Sequence, residues 1–123
     1  MEKLVNYVKK VWGHEEWIVN NQKYCGKKLV LKQGYRCSMH KHDIKDETFY
    51  ILSGKVLMET EFNGKSETFV MLAGDIKHIE IGMWHRFTGL IDSEIIEFST
   101  FHMEQDSIRK EESGPVDLKT IKF

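Results

Sequence analysis

The sequence has no apolar run approaching the roughly 20 residues that a membrane-spanning helix needs, and it has a single proline and two cysteines in 123 residues. Two cysteines do not make a disulfide scaffold, so Cys25 and Cys37 are expected as free thiols. Charge of one sign is also missing. Eighteen Lys and Arg stand against nineteen Asp and Glu, a net charge of −1, which excludes nucleic-acid binding by whole-domain basicity. The opening stretch, Met1 to Asn6, shows no long apolar segment of the secretory kind, so the expected location is the cytoplasm and no membrane partner is expected. At 41% hydrophobic and 30% charged, the chain is too apolar to be disordered. Its length fits one domain over residues 1–123, with no linker or repeat.

What is present favours strands. Nine glycines and 11% aromatics accompany short runs of period-two alternation. The expected strands are Trp17 to Val19, Lys28 to Lys32, Arg36 to Lys41, Glu47 to Leu52, Lys55 to Glu61, Glu67 to Leu72, Lys77 to Ile81, His85 to Thr88 and Glu94 to Phe101. Asn63-Gly64 is the strongest hairpin turn, because both residues accept positive φ. Leu4 to Trp12 reads as an extra edge strand, Glu104 to Glu112 as a short helical turn, and Val116 to Phe123 as an extended tail. Many short strands at this spacing make an all-β sandwich or barrel. Phe49, Ile51, Phe87 and Phe98 are its expected lining, with Cys37 a small buried residue.

The chemistry concentrates in residues 34–89. In a strand, His40 and His42 point to one side, so two imidazoles can chelate one ion. Glu47 opens the next strand, and His85 follows the turn Gly82-Met83-Trp84. Imidazole with carboxylate suits Zn, Fe, Mn, Ni or Co, and three His with one Glu leave open positions on a six-coordinate ion. The plain alternative is a solvated His-x-His pair. Arg36 shares the parity of His40, and Arg109 ends an acidic segment. Both are candidate anion clamps, or surface ion pairs. Lys45 and His102 are candidate acid–base groups beside Glu47, against the simpler readings of a solvated loop lysine and a surface histidine. Close to a cation, Lys45 is expected to favour its neutral form.

The pattern Gly34-x5-His40-x-His42-x4-Glu47-x6-Gly54 resembles the first motif of the cupin superfamily at every spacing, and Gly74-x5-Glu80-x-Gly82-x2-His85-x3-Gly89 resembles the second. Glu80 and Gly89 stand where Pro and Asn are usual. The resemblance implies a double-stranded β-helix, the jelly-roll barrel. Inside it one divalent metal would be held by His40, His42, Glu47 and His85, with Phe49 and Phe87 beside the substrate. The metal-site core spans 34–89, and the acidic segment with the tail spans 103–123.

Val11-Trp12-Gly13-His14-Glu15-Glu16-Trp17 and the run from Ile95 to Arg109 are similar to the cupin half of type II mannose-6-phosphate isomerases, although Ser113-Gly114-Pro115 replaces that family's closing Tyr-Gly-Arg. His40-x-His42-x-x-Lys45-x-Glu47 resembles the ligand segment of D-lyxose isomerase-type cupins. These likenesses imply a sugar or sugar phosphate isomerase or epimerase, with Lys45, Glu47 and His102 as its acid–base residues and a homodimer as its assembly. An Fe(II) dioxygenase and a non-catalytic sugar-binding protein are the alternatives.

Overall fold

The computed structural model describes residues 5–122. Two antiparallel sheets face each other across one core. The first runs in the order β1 (Asn6–Lys10), β2 (Gly13–Asn20), β3 (Cys25–Leu31), β11 (Ser93–Ser99), β6 (Glu47–Ser53) and β9 (Ile76–Ile79). The second contains β12 (Ser107–Glu111), β5 (Met39–His42), β10 (Trp84–Gly89), β4 (Tyr35–Arg36) and β13 (Gly114–Pro115), with β7 (Lys55–Phe62) on β10 and β8 (Lys65–Leu72) on β7. This is the expected jelly-roll barrel. No helix among the described residues is long and apolar enough to cross a membrane.

Alternation places the core. Leu29 and Leu31 of β3, Phe49 and Ile51 of β6 and Ile95 of β11 meet Val56, Met58, Met71 and Phe87 from the opposite sheet. Every second residue of β3, and of the inner stretches of β6 and β11, therefore leaves water, which is the main stabilising term here. Cys25 and Cys37 are free and buried. Asn63 (φ 52°) and Gly64 (φ 76°) turn β7 into β8, as expected.

Four expectations change. The segment read as one strand from Arg36 to Lys41 breaks at Cys37-Ser38, and its halves, β4 and β5, pair separately with β10. Residues 104–112 are not a helical turn: only Glu104–Asp106 form a 3-10 turn, and Ser107–Glu111 pair with β5. Backbone partners on a neighbouring strand outweigh weak local preference there. Phe98 does not line the barrel. It is 58% exposed, because Ile95 and Glu97 occupy the inward register of β11. The tail carries a 3-10 turn at Leu118–Thr120, tied back by the Val116 N–H to the Gly34 carbonyl (2.7 Å). The ends of the expected edge strand and tail, Leu4 and Phe123, lie outside the described residues.

Candidate metal centre

β5 delivers His40 and His42 to one side, and β10 brings His85 opposite His40 as its direct cross-strand partner. The ligand nitrogens of these three imidazoles lie within 4.8 Å of one another. Each Nδ1–H donates to a main-chain carbonyl: His40 to Ser38 (2.8 Å), His85 to Met83 (3.0 Å) and His42 to Asp106 (3.2 Å). The tautomer is thereby fixed, and each Nε2 keeps its lone pair for the centre. Burial, reinforced by the neighbouring imidazole of His85, holds His40 well below the ordinary 6.5, so it is neutral and able to ligate.

Glu47, first residue of β6, enters the same space. Its Oε2 lies 3.3 Å from His42 Nε2 and 3.2 Å from His85 Nε2. Glu47 Oε2 and His85 Nε2 are buried with no hydrogen-bond partner among the described residues. Electron pairs converging without a proton between them are costly in a dry interior, and a divalent cation resolves the conflict. The residues present therefore fit a metal ion, with His40, His42 and His85 as the group that would hold it and Glu47 at its edge.

Lys45 is not a solvated loop residue. It is 3% exposed, and its Nζ donates to Glu97 Oε2 (3.2 Å) and His102 Nδ1 (3.1 Å), with Glu47 Oε1 at 3.6 Å. Burial pulls its pKa down, but Glu97 and Glu47 more than offset this and raise it above 10.5. These two carboxylates hold Lys45 as an ammonium; the neutral form is the expectation beside a bound cation. His102 leaves β11 beyond Ser99 and turns back over the cavity, so the parity that put it outside with Phe98 ceases to apply. Burial and the charge of Lys45 lower it below 6.5, and its Nε2 donates to Glu104 (2.9 Å).

His40, His42, Lys45, Glu47, Phe49, Phe87, His102 and Arg109 all line one cavity of about 70 Å³, and the fully buried His85 lies against His40 (ring centroids 4.2 Å apart). Arg36 is not brought there: the break at Cys37-Ser38 turns Cys37 and Ser38 to the cavity instead. Sequence reasoning missed Glu97, Lys27 and Asp106. Lys27 is 1% exposed, 3.5 Å from Glu15 and 4.2 Å from the Trp17 ring centre. The available signal was a charge on an inward stripe: Lys27 alternates with Leu29 and Leu31, and Glu97 with Ile95. Asp106 has no such signal. Its carboxylate accepts the N–H groups of Asp43 (3.0 Å), Ile44 (3.0 Å) and Lys45 (2.8 Å).

A cupin domain family model matches residues 28–98, more than half of the chain. The chain belongs to the cupin family. Among solved structures, this cupin is similar to oxalate decarboxylase from Bacillus subtilis, with a TM-score of 0.78 and 16% identity over 85% of this chain and 30% of that one. It is also similar to the formate complex of Lactobacillus farciminis oxalate decarboxylase, with a TM-score of 0.76 and 18% identity over 85% of this chain and 33% of that one. This cupin thus spans about a third of those chains, and at such identity the likeness is one of fold. The Bacillus subtilis enzyme has Mn(II) centres. No curated protein sequence matches this cupin.

Proposed function

We propose that this cupin is a metal-dependent isomerase or epimerase acting on a sugar or sugar derivative. The observation that carries the reading is the buried acid–base chain beside the three imidazoles: Glu97, Lys45 and His102, linked at 3.2 and 3.1 Å in the cavity wall. Moving a proton between adjacent carbons needs such groups within reach of the substrate. His40, His42 and His85 with Glu47 would hold a divalent ion, which would supply Lewis acidity toward the substrate. Manganese is the first metal to test.

The side chains divide the remaining work. Lys45, as an ammonium, donates toward the substrate oxygen that gains negative charge. His102 accepts from Lys45 at Nδ1 and donates to the exposed Glu104 at Nε2, a path by which Lys45 regains a proton from solvent. Glu97, which also accepts from Ser99 Oγ (2.9 Å), is the candidate base together with Glu47. Phe49 and Phe87 are 2% and 3% exposed and keep the inner wall dry.

The test is anaerobic incubation of the Mn-loaded protein with aldoses and ketoses in deuterated water. Deuterium should enter the carbon next to the carbonyl. Lys45→Met should slow that exchange by about 10²-fold or more, and His102→Gln, which preserves an acceptor for Lys45, should slow it less and alter its pH profile. Oxygen-dependent turnover would replace this reading with the Fe(II) dioxygenase, and unchanged exchange in both variants would remove the acid–base chain from the reaction.

A homodimer belongs to the same proposal. Phe98 and Ile76 are exposed on the outer face of the first sheet, with Ile96 and Tyr50 in cross-strand register between them. Light scattering should give a particle of twice the chain's 14.5 kDa, and a monomer rules the dimer out.

A further inference from the structure

The metal cavity, at about 70 Å³, has space for a few waters and so admits only the reacting end of a sugar. It opens into an outer groove of about 240 Å³ with which it shares Lys10, Trp12, Ser38 and Arg109. Lys9 and Ser113 extend that groove, and Glu112 is its one carboxylate.

The groove's cations carry no direct ion pair among the described residues, and Lys10 adds only a lesser pull on Glu104 to that of His102. The cavity carboxylates are engaged inside: Glu47 and Glu97 with Lys45, Glu15 with Trp17 and Lys27, Glu104 with His102. Among the described residues, Lys9, Lys10 and Arg109 form no ion pair within 4.0 Å. Arg109 is the direct cross-strand partner of His40, and cross-strand partners share a face. Its guanidinium therefore rises from the same side of the sheet as the metal-binding imidazoles. Lys10, on the same side of the β1–β2 pair as the cavity residue Glu15, closes the other wall, and Lys9 borders the groove from the opposite side of β1. The buried ring of Trp12, edge-on to Phe87 (5.4 Å), forms the floor between the two walls.

We propose that this groove is an anion subsite, in which Arg109 and Lys10 receive the phosphate or carboxylate of a small polyhydroxylated substrate whose other end reaches the metal cavity. The substrate class rests on the isomerase reading; the anion site itself does not. Guanidinium and ammonium on opposite walls suit an anion of several oxygens. The hydroxyls of Ser38 and Ser113 are further donors at its edge.

The experiment titrates inorganic phosphate, and separately acetate, into the zinc-loaded and metal-free protein at constant ionic strength, following backbone amides by NMR. Amides of residues 9–11 and 109–113 should shift in both forms. Lys10→Gln with Arg109→Gln should weaken binding by about tenfold or more and leave zinc affinity unchanged. Lys65→Gln, which does not line the groove, should have no effect. Tighter binding of phosphate than acetate assigns the anion as phosphate, and the reverse order as carboxylate. Binding that survives the double substitution, or that disappears with zinc, overturns the subsite. Failure of sugar exchange in deuterated water with phosphate binding intact would sink the isomerase and spare the subsite.

Discussion

Asp106→Ala is expected to weaken metal binding by about 10- to 100-fold without touching a ligand atom. Asp106 is 6% exposed, and its carboxylate gathers three successive N–H groups in the loop from β5 to β6. That loop sets the spacing between His42 and Glu47. The main-chain carbonyl of the same residue orients the His42 ring, so one residue fixes both ends of the loop. Alanine leaves the Lys45 N–H without its buried acceptor and releases those of Asp43 and Ile44 to water. A stability loss of about 2–4 kcal/mol follows. Asp106→Asn keeps one acceptor oxygen and should fall between wild type and alanine. His42→Ala, which removes an imidazole outright, should bind least metal while its barrel stays folded. Competition against a chelator, with circular dichroism as the folding control, orders the series. An alanine variant with wild-type metal affinity would show that the loop holds its shape unaided.

The largest effect on folding is expected from Gly13→Ala. Gly13 opens β2 at φ 147°, and a Cβ there would overlap the Val30 carbonyl oxygen on β3. That contact lies inside the β2–β3 ladder, so relief requires two paired strands to separate. The preceding Trp12 would move with them, losing its place against Phe87 and its carbonyl's bond from the Lys32 N–H (2.9 Å). A loss of about 3 kcal/mol or more is expected, read as a melting temperature lower by about 10 °C. Gly64→Ala is the control. Its φ is also positive (76°), but nothing lies within 4 Å of the added carbon, so it should cost only about 1 kcal/mol. Equal losses in the two variants would mean that backbone strain, not collision with β3, sets the requirement at Gly13.

The barrel and its three imidazoles were legible in the sequence because both rest on short-range geometry. Alternation fixes which side a strand residue faces, and the Gly-bounded runs fix where strands end. What was lost depended on departures from that alternation. A break at Cys37-Ser38 interrupted the parity linking Arg36 to His40, and the register that turns Ile95 and Glu97 inward left Phe98 outside, while a bend after Ser99 still brought the candidate His102 to the cavity. Arg109 was placed in the cavity for a reason invisible locally, because β12 forms only by pairing with β5. Glu97 and Lys27 were visible as charges on apolar stripes. Their partners, 52 residues apart for Lys45 and Glu97, were not. Gly89, where the family motif has Asn, has a steric explanation: a side chain there would come within 2.6 Å of the Lys32 carbonyl oxygen.

The three Nδ1–H groups all end on peptide oxygens, and that has an evolutionary consequence. Substitution exchanges side chains and leaves carbonyls in place. The walls, the mouth and the outer groove can therefore be rebuilt for a new substrate while the chelating nitrogens keep their protonation state, and the reactivity of the metal and the choice of molecule it acts on can drift separately.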